Sequence, residues 1–202
     1  MKHMRRVLTF AAALLLFLPA LSAQEPQKIN KKNLVIKDLD ELIQLRLDSM
    51  LKSNPSRVDY YERYQKIIEE YNREQDRATI EKTFMDLMDL ANSMNEEEQR
   101  YVREGFSSDE ELSLYDMLFH DNLSKEDIKA IKKVAVDLLA KIKMKISELD
   151  HWTDKQETKA AVDNLIRDTL WNELPESYDE ITISEYRQKI YEYVYMRYKD
   201  VA

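Results

Sequence analysis

The sequence predicts an all-α protein, an irregular helical bundle of about seven or eight helices, preceded by a signal-peptide-like leader. Three observations predict it. One glycine and four prolines occur in 202 residues, too few for the positive-φ chain reversals of a sheet with tight turns. Charged residues make up 35% of the chain, and Leu, Ile, Met, Glu and Lys dominate, a mix that builds helices with solvated outer faces. From Leu34 onward, apolar residues recur at three- and four-residue spacing, with no switch to strand alternation.

Residues 1–23 have the three parts of an export signal. Lys2, Arg5 and Arg6 form a positive start, 7–18 an apolar run, and Pro19-Ala20-Leu21-Ser22-Ala23 a small-residue end. On that reading, cleavage falls between Ala23 and Gln24. The alternatives are a buried N-terminal helix and a leader created by a misassigned start codon. The run is shorter than the roughly 20 residues of a membrane span. No cysteine follows it for lipid attachment, so no stable membrane anchor is expected. Residues 24–33 are polar, contain Pro26, and read as a linker; 34–202 read as one helical domain.

The helices follow in order. Leu39, Leu42, Ile43, Leu45 and Met50 give a first apolar face, ending before Asn54-Pro55. Val58, Tyr61, Ile68 and Tyr71 give a second across 57–73, and Ile80, Phe84, Leu87, Ala91 and Met94 a third across 77–94. Asn95-Glu96-Glu97-Glu98, Ser108-Asp109-Glu110-Glu111 and Thr153-Asp154-Lys155-Gln156 each set a capping residue three before Glu or Gln, so each predicts a helix start. Gly105 stands where a helix ending near Arg103 wants a left-handed residue. Ser124 opens a long helix with a core stripe of Ile128, Ile131, Ala135, Leu138 and Ile142. The last two helices run over 153–173, stopped by Pro175, and 183–199.

Composition also narrows the chemistry. A single glycine excludes the two phosphate-cradling loops that need two or more. His120 and His151 fall on separate segments and His3 in the leader, so no metal site is expected, and there is no cysteine to supply thiolates. Glu157-Thr158-Lys159, near Asp150 and Asp154, has the Glu-x-Lys spelling of metal-dependent nucleases, which carry those residues on strands. Inside a helix it reads as a solvated face, and Glu69-Glu70 and Glu96-Glu97-Glu98 likewise as surface charge and cap chemistry. No catalytic or cofactor-binding residue is expected. Net charge is −8 and the first 23 residues carry only cations, so the remainder is more acidic still. Such a domain is poorly suited to binding a phosphate backbone unaided, and no direct nucleic-acid binding is expected.

Residues 54–72, opening Asn54-Pro55-Ser56-Arg57-Val58-Asp59-Tyr60-Tyr61, resemble a segment typical of type I restriction endonuclease R subunits. The similarity continues through Asp76-Arg77-Ala78-Thr79-Ile80-Glu81, Val102-Arg103-Glu104-Gly105-Phe106 and Glu110-Glu111-Leu112-Ser113-Leu114-Tyr115-Asp116. It returns at Lys155-Gln156-Glu157-Thr158-Lys159, Leu174-Pro175-Glu176-Ser177-Tyr178 and Ile190-Tyr191-Glu192-Tyr193-Val194-Tyr195, covering about 34–199. The resemblance is to the C-terminal helical region of those subunits alone. Their nuclease and ATP-driven translocase domains have no counterpart here, so the resemblance implies neither activity. It implies a non-catalytic module that docks the R subunit onto the methyltransferase and specificity subunits, either as a fragment of a longer R subunit or beside a separate motor chain. It also implies a cytoplasmic protein, whereas the leader implies a periplasmic or secreted one. The second reading is an exported helical binding protein unrelated to DNA restriction.

One partner-facing surface is suggested by the last helix. At 100° per residue, Tyr186, Ile190, Tyr193 and Val194 share a side, and Tyr191 and Tyr195 widen the apolar arc to roughly 200°, beyond the stripe of about 100° that faces one core. Tyr191 and Tyr195 are therefore the candidate partner-binding residues, since tyrosine offers large contact area with a polar tip. The alternative is that this helix is sandwiched inside the domain.

Overall fold

A computed structural model describes residues 24–74 and 76–200. Among them are eight α-helices, one 3-10 turn and no strand: α1 Gln24–Ser53, the turn Pro55–Arg57, α2 Val58–Arg73, α3 Arg77–Glu98, α4 Arg100–Arg103, α5 Asp109–Leu118, α6 Lys125–Ser147, α7 Gln156–Glu173 and α8 Glu180–Tyr198. The expected leader and its Ala23–Gln24 junction fall at or beyond the start of this range; residues 1–23 lie outside it.

The segment expected to be a linker, 24–33, is the first third of α1. Pro26 does not prevent this, because it sits in the first turn, where backbone N–H groups have no intrahelical acceptor. The apolar face of α1 is also rotated from the one expected. Ile36, Ile43, Leu47 and Met50 are buried, whereas Leu42 and Leu45 point outward. α2 presents Tyr64 to the core and leaves Val58 and Tyr61 exposed. Asn95 is not a helix start, because α3 continues through it to Glu98. Met94 is fully buried and Glu97 nearly so, and tertiary contacts at both override the local cap signal.

Ser108, Ser124 and Gly105 stand where the sequence placed them, while Asp76 and Asp179 are caps it did not single out and α8 starts at Glu180 rather than 183. Asp76, Ser108, Ser124 and Asp179 accept hydrogen bonds from the backbone N–H of Thr79, Glu111, Asp127 and Thr182, closing the N-termini of α3, α5, α6 and α8. Ser124 and Asp127 form a reciprocal capping box. Gly105, at φ +82, takes the left-handed position after α4. Its N–H donates to Val102 O at 3.1 Å and that of Phe106 to Tyr101 O at 2.8 Å, the paired bonds of a Schellman motif. Thr153 does not cap α7, which begins at Gln156 after Lys155. Instead the 148–155 turn bends through His151 at φ 46 and drops Trp152, fully buried, into the core.

The buried side chains gather in two clusters. Ile36, Ile43, Leu47, Tyr64, Ile80, Leu87 and Met94 tie α1, α2 and α3 into one bundle. Leu112, Leu118, Ile131, Leu138, Ile142, Trp152, Val162, Ile166, Ile190 and Val194 tie α5 to α8 into the other. The stripe expected on α6 lies in this second core, with Ile131, Ala135, Leu138 and Ile142 at zero exposure and Ile128 packed at its edge.

Candidate interaction surface

Between the two clusters lies a polar junction built from the end of α1, the Pro55–Arg57 turn, the end of α3 and α5. The Arg57 guanidinium donates from Nε to Glu97 Oε1 at 2.9 Å and from Nη2 to Asp109 Oδ1 at 2.6 Å. Arg100 donates from Nε to Glu97 Oε1 at 2.8 Å and from Nη1 to Asp116 Oδ1 at 3.0 Å. Asn54 Nδ2 donates to Asp116 Oδ2 at 2.6 Å, and Ser113 Oγ to the Ser53 carbonyl at 2.9 Å. Burial pushes the Asp109 carboxyl up, but Arg57 and the Ser53 hydroxyl more than offset it and hold it below the usual range.

A groove of about 1350 Å³ opens beside this junction, walled by the end of α1 on one side and by α5 and α8 on the other. Its apolar surface comes from Leu51, Met117, Phe119, Tyr186, Tyr193 and Met196. Within the groove Phe119 is 41% and Met196 66% exposed. Charges of both signs rim it. Arg197 Nε donates to Glu110 Oε1 at 2.8 Å, and the Lys189 ammonium stands 5.5 Å from the Tyr186 ring centroid. The Tyr193 and Tyr198 hydroxyls are buried near Ser113 and Glu110 without a well-formed hydrogen bond, and burial pushes both phenols up. Each such orphan costs on the order of 1–3 kcal/mol.

The residues singled out from the sequence are split by this geometry. Tyr186 and Tyr193 reach the groove. Tyr191 and Tyr195 lie on another side of α8, half-buried against the second core. Their rings meet the edge of Trp152 at centroid distances of 6.5 and 5.8 Å. Glu157 and Lys159 fall in the first turn of α7, where positions two apart face different ways. His120 packs edge-on against Tyr178 at 5.2 Å. Among the described residues no cluster of three or more His, Cys, Asp or Glu is placed to hold a metal ion. No described helix is long and apolar enough to cross a membrane. Sequence reasoning missed Phe119 and Met196, since single apolar residues carry no periodic signal. It also read Glu97 as surface charge, although the Arg57 and Arg100 that bury it were available as basic partners.

Among the described residues, helices without strands, two apolar clusters and a groove at their seam define an all-helical domain. By sequence it belongs to the family described as "Type I restriction enzyme HindI endonuclease subunit-like, C-terminal", whose model matches residues 19–198. The match therefore enters the last few residues of the expected leader. No curated protein and no solved structure matches the chain.

Proposed function

We propose that this chain is a helical interaction module of a type I restriction-modification system, holding an endonuclease subunit to the methyltransferase and specificity core. Family membership supplies the system. The single structural observation behind the docking role is the seam groove, where α8 and α5 hold Met196 and Phe119 open to solvent beside Tyr186. Aromatic and methionine side chains around a polar-rimmed hollow are what protein interfaces favour. The exposed edges of Tyr191 and Tyr195 are a second proposed contact, on another side of the same helix.

On this reading the chain neither hydrolyses ATP nor cuts DNA by itself. The test is capture of a purified methyltransferase–specificity complex by the immobilised full chain. Phe119→Ala with Met196→Ala should weaken capture about tenfold or more, the scale of a hot-spot pair, while far-UV circular dichroism stays unchanged. Capture that is equal for parent and variant removes the groove from the interface, and no capture by the parent removes the docking role. The export reading is favoured only by residues 1–23, and a mature N-terminus at Gln24 in secreted material would support it.

A further inference from the structure

The two apolar clusters share no buried side chain, and a set of charged and polar groups lies between them. The polar contacts across the seam gather in one cluster: Arg57, Glu97, Arg100, Asp109 and Asp116, with Ser53, Asn54 and Ser113 beside them. Its centre is dry and its edge is wet. The Arg57 side chain is 4% exposed, whereas Arg100 and Asp109 are each about a quarter exposed. Among the described residues the chain passes from the first bundle to the second once, at Gln99, between the end of α3 and the start of α4. Tyr101 and Phe106, just beyond it, already pack on the second core. Asp116 belongs both to the charge cluster and to the wall of the groove.

We infer that α1–α3 and α5–α8 are two bodies that part about Gln99, and that the Arg57/Glu97/Arg100/Asp109/Asp116 cluster is a salt-sensitive catch setting the width of the groove. Two physical points carry this. Parting an apolar seam costs free energy in proportion to area and is little weakened by salt. Parting an ionic seam returns charged groups to water, and their recovered hydration offsets much of the lost attraction. The wet edge is also open to screening, because the Debye length falls from about 10 Å at 0.1 M to about 3 Å at 1 M. Each bundle keeps its own core when the catch releases, so the bodies part without unfolding. The groove walls belong to different bodies, with Leu51 on one and Met117, Phe119 and Met196 on the other, so release widens the groove.

The full chain offers a clean measurement because it has no cysteine. Met85→Cys on α3 with Met144→Cys on α6, both exposed, puts one dye on each body. Met144→Cys with Trp171→Cys on α7 puts both dyes on the second body as a control. Cross-body energy transfer should fall as salt rises from about 0.05 M to about 1 M, with the control pair and the helical circular dichroism constant. Arg100→Gln should give the same fall at low salt. Cross-body transfer that stays flat across the salt series overturns the inference. So does a fall that the control pair or the helical signal shares. The salt series on the parent chain decides the matter even if Arg100→Gln fails to fold. Failure here leaves the docking reading standing, since a rigid groove also binds.

Discussion

Arg57 and Asp109 stand 52 residues apart in sequence and meet end-on, Nη2 donating to Oδ1 at 2.6 Å and Nη1 to Oδ2 at 3.2 Å. The same guanidinium also holds Glu97 through Nε. One arginine thus neutralises carboxylates from both halves of the chain. Arg57→Ala leaves Glu97 to Arg100 alone and Asp109, a quarter exposed, to the Ser53 hydroxyl, which costs on the order of 2 kcal/mol, below the cost of an uncompensated buried charge. A urea denaturation midpoint lowered to match is the expected result. Arg57→Lys should recover only part, because an ammonium cannot serve two carboxylates with a planar fork.

Acid should weaken the fold through α5. Asp109 is pushed up by burial, but more strongly down by Arg57 and Ser53. Glu110 is likewise pushed up by burial and further down by Lys143 and Arg197. A carboxyl with a lowered folded-state pKa binds fewer protons folded than unfolded. Its stabilisation is complete above the unfolded value of about 4 and is lost as pH falls through the lower folded value. Urea midpoints should therefore hold steady from about pH 7 to about pH 5 and drop below about pH 4. Asp109→Asn should be less stable than the parent at neutral pH, with a shallower acid limb.

Trp152 and Trp171 report different places. Trp152 is fully buried, and its Nε1–H donates to the Tyr198 carbonyl at 2.9 Å, tying the 148–155 turn to the end of α8. Trp171 is 55% exposed on α7. Acrylamide should quench one part of the tryptophan emission readily and spare the other, and Trp171→Phe should remove the quenchable part. Trp152→Phe leaves the Tyr198 carbonyl unpaired and the cavity underfilled, costing about 2 kcal/mol in a thermal or urea melt.

The fold was legible where local chemistry and tertiary need agree. The Ser124 start, the Gly105 turn and the α6 stripe are legible because one residue type answers both demands. Asn95 was misread because burial of Met94 and the clasp on Glu97 carry α3 past a good local cap. Leu42 and Leu45 satisfied helical spacing as well as Ile43 and Leu47 did, and spacing cannot say which side of an apolar-rich helix meets the core. The seam was invisible for a different reason. Its members come from four separate segments, and ion pairs across 40 to 52 residues leave no periodic trace. At α8 the sequence showed a helix more apolar than one core needs, without showing which excess residues the fold itself consumes.

That last ambiguity is open to a paired substitution. Tyr191 and Tyr195 rest on Trp152 and on each other, their centroids 6.4 Å apart, with most of their surface covered. Removing both rings uncovers Trp152 and forfeits edge-to-face contacts of about 0.5–1.5 kcal/mol each beyond the lost burial. Tyr191→Ala with Tyr195→Ala should therefore lower the melting temperature by several degrees, roughly 2–4 °C per kcal/mol for a chain of this size. Phe119→Ala with Met196→Ala removes two exposed side chains, of which only Phe119 touches the core, through the Tyr115 ring at 5.8 Å, so its melting temperature should fall less than that of the tyrosine pair. In capture of the methyltransferase–specificity complex the order should reverse, with the groove pair losing the larger share of affinity and the tyrosine pair, the second contact, the smaller. If the tyrosine pair instead loses capture with its melting temperature intact, the partner sits over Trp152 and the groove is not the docking face.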